Sequence, residues 1–224
     1  MNVVAVIPAL NEAEAIGPLV SAVLPHVTQV VVVDNGSTDG TADVAHNAGA
    51  TVVHEAQRGY GAACMAGVEA TPDATVYVFL DGDGADPPKH IPAFLRALEA
   101  HPDGIVLGIR RGEVQPGAML WHQRLGNLGM AWLMRRLYGW PVHDLASFKV
   151  IGASTLRRLD VQDRAQGWTA ELLSRCAANR LPLTEIATGY RKRPGKSKVS
   201  GSIRGSLRAA YQLNAAILRV RRSS

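Results

Sequence analysis

The stretch Thr75-Val-Tyr-Val-Phe-Leu-Asp-Gly-Asp-Gly-Ala-Asp86 carries an apolar strand directly into three carboxylates. Residues 75–80 are β-branched, aromatic or aliphatic at nearly every position, as in a strand buried on both faces. Asp81, Asp83 and Asp86 therefore lie at the carboxyl end of this strand, where open α/β sheets bind ligands. Clustered hard oxygen ligands favour Mg²⁺ or Mn²⁺ carrying substrate phosphates. The alternative is a solvated turn before a helix, because Asp-Pro-Pro is also a helix start.

The bulk composition fits one large α/β domain. The chain has 224 residues, of which 47% are apolar, with 22 glycines and 12 prolines, and this is short for two domains. Cys64 and Cys176 are far apart and have no metal-type neighbours, so the sequence predicts neither a disulfide framework nor a zinc site, and a reducing cytoplasm fits. No apolar run approaches the roughly 20 residues that cross a bilayer. We therefore do not expect an integral membrane protein, although contact with a membrane surface stays open.

The net charge of +5 conceals a strong asymmetry between the two halves. Residues 1–109 carry 3 Lys/Arg against 13 Asp/Glu, a net charge of −10, whereas residues 110–224 carry 21 against 6, a net charge of +15. A phosphorylated ligand or an anionic membrane face would be drawn to the second half. Nucleic acid is the rival partner, but the basic half has no zinc-finger spacing, aromatic RNA-binding signature or helix-turn-helix pattern. We therefore predict no nucleic-acid partner.

Strand-like and helical stretches alternate through the first half. The strand-like runs are 3–7, 30–33, 51–54, 75–80 and 105–109, and the helical stretches are 12–24, 41–48, 61–70 and 91–100. This alternation predicts an α/β fold with a doubly wound, mostly parallel, Rossmann-like sheet flanked by helices. The first strand ends in Pro8-Ala9-Leu10-Asn11-Glu12 rather than in a glycine-rich dinucleotide fingerprint, which argues against NAD or FAD.

Two later stretches have the pattern of amphipathic helices. Residues 119–137 mix tryptophan and leucine with arginine, which is typical either of a core helix whose arginines reach solvent or of a membrane-contacting surface. Residues 203–222 place arginines on one side and apolar residues on the other. This second helix either packs on the sheet or docks on a membrane or acceptor.

Four segments stand in a recognisable order: Val6-Ile-Pro-Ala-Leu-Asn-Glu12, Val33-Asp-Asn-Gly-Ser-Thr-Asp-Gly-Thr41, Leu80-Asp-Gly-Asp83 and Arg193-Pro-Gly-Lys-Ser-Lys198. Together they resemble the family 2 inverting glycosyltransferases, particularly the dolichyl- or polyprenyl-phosphate mannosyl- and glucosyltransferases. The resemblance covers almost the whole chain and implies a GT-A fold, a GDP- or UDP-hexose donor and Mg²⁺ or Mn²⁺. We expect a single GT-A glycosyltransferase domain over 1–198, with a sugar-nucleotide half at 1–109 and an acceptor half at 110–198, followed by a basic amphipathic helix at 199–224.

The resemblance also implies roles for individual residues. Asp34 would contact the nucleoside, together with four residues around the base and ribose, Pro8, Ala9, Asn11 and Glu12. Asp83 would bind the metal directly, Asp81 would face the nucleotide or the water shell of the metal, and Asp86 or water would complete the coordination. The donor phosphates would be covered by a cationic loop containing Arg193, Lys196, Ser197 and Lys198, for which the alternative is a solvated basic loop. Close approach of the backbone to the donor would be allowed by Gly59 and Gly61.

Three positions depart from the family pattern. Ala85 stands where a further glutamine ligand to the metal is common, and Asn35 replaces the second aspartate of the usual Asp-Asp-Gly-Ser sequence. In the segment Asp144-Leu-Ala-Ser-Phe-Lys149, Lys149 replaces the usual arginine. We therefore expect one altered donor contact and an altered acceptor preference.

The acceptor decides which residues are catalytic in a single in-line displacement with inversion. The oxygen of a polyprenyl phosphate is already anionic and needs no base; it would be held by Arg110, Arg111 and Arg124. A soluble or natural-product hydroxyl, the alternative acceptor, needs a carboxylate base, either Glu171 or Asp144. Their other roles would be a helix-borne ion pair and a loop cap, respectively. A non-catalytic nucleotide-binding module is a third interpretation. We expect a cytoplasmic protein, either free or peripheral at the cytoplasmic face of the membrane.

Overall fold

The computed structural model describes residues 1–112, 114–118, 121–192 and 213–221. One seven-stranded sheet has the order β3-β2-β1-β4-β6-β5-β7. The strands are β1 (Val3–Ala9), β2 (Gln29–Asp34), β3 (Thr51–His54), β4 (Val76–Phe79), β5 (Ile105–Ile109), β6 (Lys149–Gly152) and β7 (Leu183–Ala187). All neighbours pair in parallel except β6, which is antiparallel to both β4 and β5. The predicted mostly parallel sheet is confirmed, whereas β6 and β7 were not predicted.

Helices cover both faces of the sheet. They are α1 (Ala13–Val23), α2 (Thr41–Asn47), α3 (Tyr60–Glu69), α4 (Ile91–Ala100), α5 (Trp121–Tyr138), α6 (Ala153–Leu159) and α7 (Trp168–Ala178). The helices α1 to α5 lie where the sequence predicts them, and α6 and α7 are additional. Of the predicted helix at 203–222, only residues 213–221 are described, and they are helical.

The central strand β1 shows why the sheet makes a firm platform. Val4 and Val6 are buried in the cluster on one face, whereas Ala5 and Ile7 are buried in the cluster on the other. This period-two alternation, with apolar residues at every position, is that of a strand covered on both faces. Helix α3 packs closely on β1, because a Cβ added to Gly67 would lie 2.5 Å from Val6 Cγ1. The carboxyl ends of β1, β2 and β4 are therefore held at one edge of a close-packed sheet.

Within the described ranges, none of the helices combines the length and the apolar character needed to cross a membrane.

Candidate active site

The loops after β1 and β2 are joined by hydrogen bonds between residues far apart in sequence. The amide of Asn11, which has a left-handed backbone (φ 55°), donates to Ser37 Oγ at 2.9 Å, and the Thr38 amide donates to Asn11 Oδ1 at 2.8 Å. Asp34 is buried and accepts from the Ser37 amide at 2.9 Å. The strand register sets Ala9 beside Asp34. The structure thus brings together, at the carboxyl edge of the sheet, the predicted nucleoside contacts Pro8, Ala9, Asn11, Glu12 and Asp34.

Asn35 explains one departure from the family pattern. Its Nδ2 donates to the carbonyls of Glu55 and Gln57 at 2.9 and 2.8 Å, and its Oδ1 accepts from the Gly59 amide at 2.8 Å. An amide can donate and accept in this way, whereas an ionised aspartate can only accept. Asn35 therefore fixes the loop that connects β3 to α3.

The two glycines at the start of α3 are covered by protein. A Cβ on Gly59 would lie 2.1 Å from the Arg164 carbonyl oxygen, and a Cβ on Gly61 would lie 2.2 Å from that of Asp163. The Gly61 amide donates to the Ala165 carbonyl at 3.0 Å. This arrangement differs from the predicted approach of a donor, because the space that these glycines leave open is filled by the 163–165 segment.

The turn after β4 concentrates negative charge in a buried place. Asp83 and Asp86 are only 4% and 2% exposed. Asp83 Oδ1 accepts from the Ala85 amide at 3.0 Å, whereas Asp81 Oδ1 is buried and has no hydrogen-bond partner among the described residues. Burial first, and then the charges of Asp81 and Asp83, raise the pKa of Asp86 to about 7. A cation at this turn would reduce the repulsion among the three carboxylates and would give Asp81 Oδ1 a partner.

The binding of a metal by Asp81, Asp83 and Asp86 stays a prediction. Across the described part of the chain, no three His, Cys, Asp or Glu side chains are placed to hold one ion. Asp86 Oδ2 accepts instead from Ser147 Oγ at 3.1 Å. Mg²⁺ commonly takes only one or two carboxylates and completes its shell with phosphates and water. Asp83 and the unsatisfied oxygen of Asp81 therefore still fit a divalent cation.

Lys149 lies beneath the turn formed by residues 81–86, which we call the acidic turn. From the sequence, it was noted only as a replacement for arginine. It stands opposite Phe79 in the β4–β6 pair and is fully buried. Its Nζ donates to Thr169 Oγ1 at 3.1 Å and lies 5.2 Å from the ring centroid of Trp168. Burial lowers the pKa of Lys149 to about 8, while the charges of groups that include Asp81 oppose this shift. The strand was missed because it has only four residues and begins with a lysine.

Asp144 holds Arg110 at the carboxyl end of β5. The Arg110 amide and Nε both donate to Asp144 Oδ2, at 2.9 and 3.0 Å, and the guanidinium also pairs with Oδ1. Asn127 of α5 donates to Asp144 Oδ1 at 2.9 Å. Burial would lower the pKa of Arg110, but the Asp144 carboxylate more than offsets this and raises it. Asp144 is therefore a loop cap and a partner of arginine, which is the alternative that the sequence left open, and its role as a base stays a prediction.

The three arginines predicted to hold an acceptor phosphate have different environments. Arg110 is paired as described and lies 5.6 Å from the centroid of the Tyr190 ring. Arg111 is exposed after β5, and Arg124 is exposed on α5.

Glu171 makes the helix-borne ion pair that the sequence left open as its alternative role, and its role as a catalytic base stays a prediction. It is 2% exposed, and its Oε2 accepts from the Asp163 amide at 2.7 Å. Its Oε1 accepts from the Gln162 amide at 3.2 Å and from Arg175 Nε at 2.7 Å. Both oxygens are therefore engaged in holding the loop whose following residues cover the start of α3.

The predicted cationic loop with Arg193, Lys196, Ser197 and Lys198 lies outside the described residues. The segment that leads into it is anchored to the acidic turn, because the Arg191 amide donates to the Ala85 carbonyl at 2.9 Å. Buried Tyr190 packs in the same small apolar cluster as Ala85. The segment that leads into this basic loop therefore lies beside the turn that carries Asp81, Asp83 and Asp86.

Known proteins match both the sequence and the fold. The model of "Glycosyl transferase family 2" matches residues 4–158. An uncharacterized glycosyltransferase of Mycobacterium tuberculosis is 42% identical over 92% of this chain and 93% of its own length. A dolichyl-phosphate hexose transferase of Haloferax volcanii is 35% identical over 84% of this chain and 82% of its own length.

A solved structure extends the likeness to the fold. Glucosyl-3-phosphoglycerate synthase from Mycobacterium tuberculosis, in complex with Mn²⁺, UDP and glucosyl-3-phosphoglycerate, superposes with a TM-score of 0.78 at 21% identity, over 97% of this chain and 79% of that one. The sheet and its helices are thus a GT-A fold. The chain belongs to glycosyltransferase family 2 and is a glycosyltransferase.

Proposed function

We propose that the protein transfers a hexose, with inversion, from a nucleoside-diphosphate sugar to a polyprenyl phosphate in a metal-dependent reaction. The observation that carries the choice of acceptor is an exposed apolar face on α5, on the same helix whose Asn127 binds Asp144. A named relative supports it, because the Haloferax volcanii protein is a dolichyl-phosphate hexose transferase.

The exposed face of α5, which we call the α5 stripe, consists of Trp121, Leu125, Leu128 and Trp132. These side chains are 56–69% exposed. Their spacings of four, three and four residues keep them on one side of a helix that turns 100° per residue. Helix α5 contains no Asp or Glu, and Arg124 is exposed beside the stripe. Bulky apolar residues flanked by cations are typical of a helix lying in the interface of an anionic bilayer.

The donor would bind at the carboxyl edge of β1, β2 and β4. The nucleoside would contact the joined loops around Asn11 and Asp34, and the diphosphate would lie by the turn with Asp81 and Asp83. A divalent cation held by these two aspartates would supply Lewis-acid stabilisation of the departing diphosphate. Lys196 and Lys198 would neutralise the same group from the basic loop, and closure of that loop would exclude water.

A phosphate acceptor is also consistent with the two candidate bases, Asp144 and Glu171, being hydrogen-bonded to other groups of the protein. Asp144 is occupied by Arg110 and Asn127, and Glu171 is occupied by two backbone amides and Arg175. A lipid phosphate oxygen is already anionic near neutral pH, so its attack needs orientation and desolvation rather than proton removal. Transfer to a soluble hydroxyl, the alternative, would need a carboxylate base that is not already engaged in this way.

The test is incubation with radiolabelled UDP- and GDP-hexoses, with and without polyprenyl phosphate in anionic vesicles, and with and without Mn²⁺. We expect label in the lipid phase only when one donor, the lipid phosphate and the metal are all present. Asp83→Asn should abolish this transfer and also the metal-dependent part of nucleoside-diphosphate binding measured by calorimetry. Transfer to a water-soluble hydroxyl acceptor, with none to the lipid, would refute the proposed acceptor.

A further inference from the structure

The tyrosine at the start of α3 has a buried hydroxyl without a partner. Tyr60 Oη is shielded from solvent and makes no hydrogen bond among the described residues. Such groups are rare in native proteins, because a buried polar group that lacks a partner lowers stability. A phenylalanine would fill the same space without this cost. The hydroxyl of Tyr60 is therefore expected to have a role other than packing.

The group that lies beside this hydroxyl is a carboxylate of the acidic turn. Burial first, and then the charge of Asp81, raise the pKa of Tyr60 well above its ordinary value, so the hydroxyl stays protonated. Asp81 Oδ1 is itself buried and has no partner in the part of the chain that the structure describes. The two groups are thus close, but they do not meet the geometry of a hydrogen bond. A donor that lacks an acceptor lies beside an acceptor that lacks a donor.

The phenol is the fixed member of this pair. Its ring packs edge-on against the ring of Trp168, with 6.1 Å between the centroids, and Trp168 is fully buried. The first turn of α3 donates two backbone hydrogen bonds, at 3.0 and 2.8 Å, to carbonyls of the 163–165 segment. Glu171 holds that segment in turn, because it accepts from the Asp163 amide at 2.7 Å. The Tyr60 hydroxyl is therefore held in place by packing and by the backbone.

The carboxylate is the member that can turn. Asp83 Oδ1 is held by the Ala85 amide at 3.0 Å, whereas Asp81 Oδ1 has no comparable bond among the described residues. A rotation of the Asp81 side chain would bring this oxygen to the Tyr60 hydroxyl and satisfy both atoms at once. Carboxylates that bind metal ions are commonly oriented by such a hydrogen bond from a second layer of residues.

We propose that Tyr60 is a positioning residue for Asp81: when a divalent cation binds at the acidic turn, the Tyr60 hydroxyl donates a hydrogen bond to Asp81 and holds its carboxylate toward the cation. The inference rests on the proposed function and deepens it, because it assigns a residue that supports the cation site. It also gives the buried hydroxyl the acceptor that it lacks in the absence of the cation.

The test compares Tyr60→Phe with Tyr77→Phe as a matched control. Tyr77 is fully buried, and its hydroxyl donates to the carbonyls of Thr71 and Val68 at 2.8 and 3.2 Å. Both changes remove one buried oxygen and keep the aromatic ring. Calorimetry measures the Kd of UDP and of GDP with and without Mn²⁺, electron paramagnetic resonance measures the binding of Mn²⁺ alone, and thermal unfolding is recorded in EDTA.

We call the factor by which Mn²⁺ lowers the nucleotide Kd the Mn²⁺ effect. Tyr60→Phe should reduce the Mn²⁺ effect by about tenfold or more, as is typical when a group that orients a metal ligand is lost. The nucleotide Kd without metal should match that of the wild type. In EDTA, Tyr60→Phe should unfold at the wild-type temperature or above it, because the hydroxyl has no partner there. Tyr77→Phe should unfold at a lower temperature, because two carbonyls lose their donor, and should keep the wild-type Mn²⁺ effect.

Three outcomes would overturn the proposal. The first is a Mn²⁺ effect and a Mn²⁺ affinity of Tyr60→Phe that equal those of the wild type. The second is an equal weakening of nucleotide binding with and without Mn²⁺, since Tyr60 would then act on the nucleotide rather than on Asp81. The third is an equal loss of the Mn²⁺ effect in Tyr77→Phe, which would reflect a general disturbance of the core.

These measurements also separate the proposal from the proposed function. None of them uses an acceptor, so an absence of transfer to polyprenyl phosphate would refute the proposed acceptor and leave the result for Tyr60 standing. If Mn²⁺ neither binds to the wild type nor strengthens its nucleotide binding, the acidic turn is not a cation site, and the role of Tyr60 is refuted with it.

Discussion

Glu171→Gln separates a structural clamp from a catalytic base. Glu171 is 2% exposed and accepts three hydrogen bonds, from the amides of Gln162 and Asp163 and from Arg175 Nε. A glutamine of the same shape has one acceptor oxygen, and its NH₂ group would face a donor. At least one buried N–H then loses its partner and the guanidinium loses its counter-charge. Each such loss costs about 1–3 kcal/mol, so we expect a decrease of about 3 kcal/mol in the free energy of unfolding.

The assay combines urea unfolding with turnover measured well below the unfolding midpoint. For a chain of this size, a loss of about 3 kcal/mol corresponds to a fall of roughly 6–12 °C in Tm. The matched control is Glu69→Gln, because Glu69 is 67% exposed and pairs with Arg164 at 3.8 Å. Such surface pairs contribute about 0–1 kcal/mol. The clamp assignment is refuted if Glu171→Gln keeps the stability of the control but reduces kcat by about 100-fold or more, as the loss of a general base would.

Three further predictions concern other parts of the molecule. Replacing both Trp121 and Trp132 by serine should weaken binding to anionic vesicles by about 3 kcal/mol, roughly 100-fold. Two largely exposed indoles would then no longer enter the membrane interface. Unchanged co-sedimentation with the vesicles would exclude the α5 stripe as the membrane contact. Asn35→Asp should destabilise the protein by about 2 kcal/mol, because a carboxylate cannot donate to the carbonyls of Glu55 and Gln57; urea unfolding that matches the wild type would contradict this. Burial lowers the pKa of Lys149 from 10.5 to about 8, so between these pH values the unfolded chain holds a proton that the folded protein has lost. The free energy of unfolding should therefore rise with pH across this window, and Lys149→Met should remove that rise. Equal slopes of stability against pH in both proteins would show that Lys149 is not the group responsible.

The strand and turn at 75–86 illustrate how far local pattern reaches. An unbroken apolar run followed by glycines and aspartates predicts both a buried strand and a ligand-binding edge, and β4 lies there. The strands and helices up to residue 109 follow the same rules, because each buries a face whose period is visible in the sequence. Strand β6 escaped prediction because it has only four residues and begins with Lys149, and β7 because it is short and only half-buried.

The sequence by itself determined the fold class, the family and the position of the acidic turn, because these depend on residues that are neighbours along the chain. Only the tertiary structure decided which groups Glu171, Asp144 and Asn35 contact, since their partners are set by sheet order and loop packing. The antiparallel insertion of β6 between β4 and β5 brings Lys149 beneath the aspartates and Ser147 to Asp86. Sequence spacing carries no information about such contacts, because a side chain's hydrogen-bond partner depends on which strands become neighbours when the sheet forms.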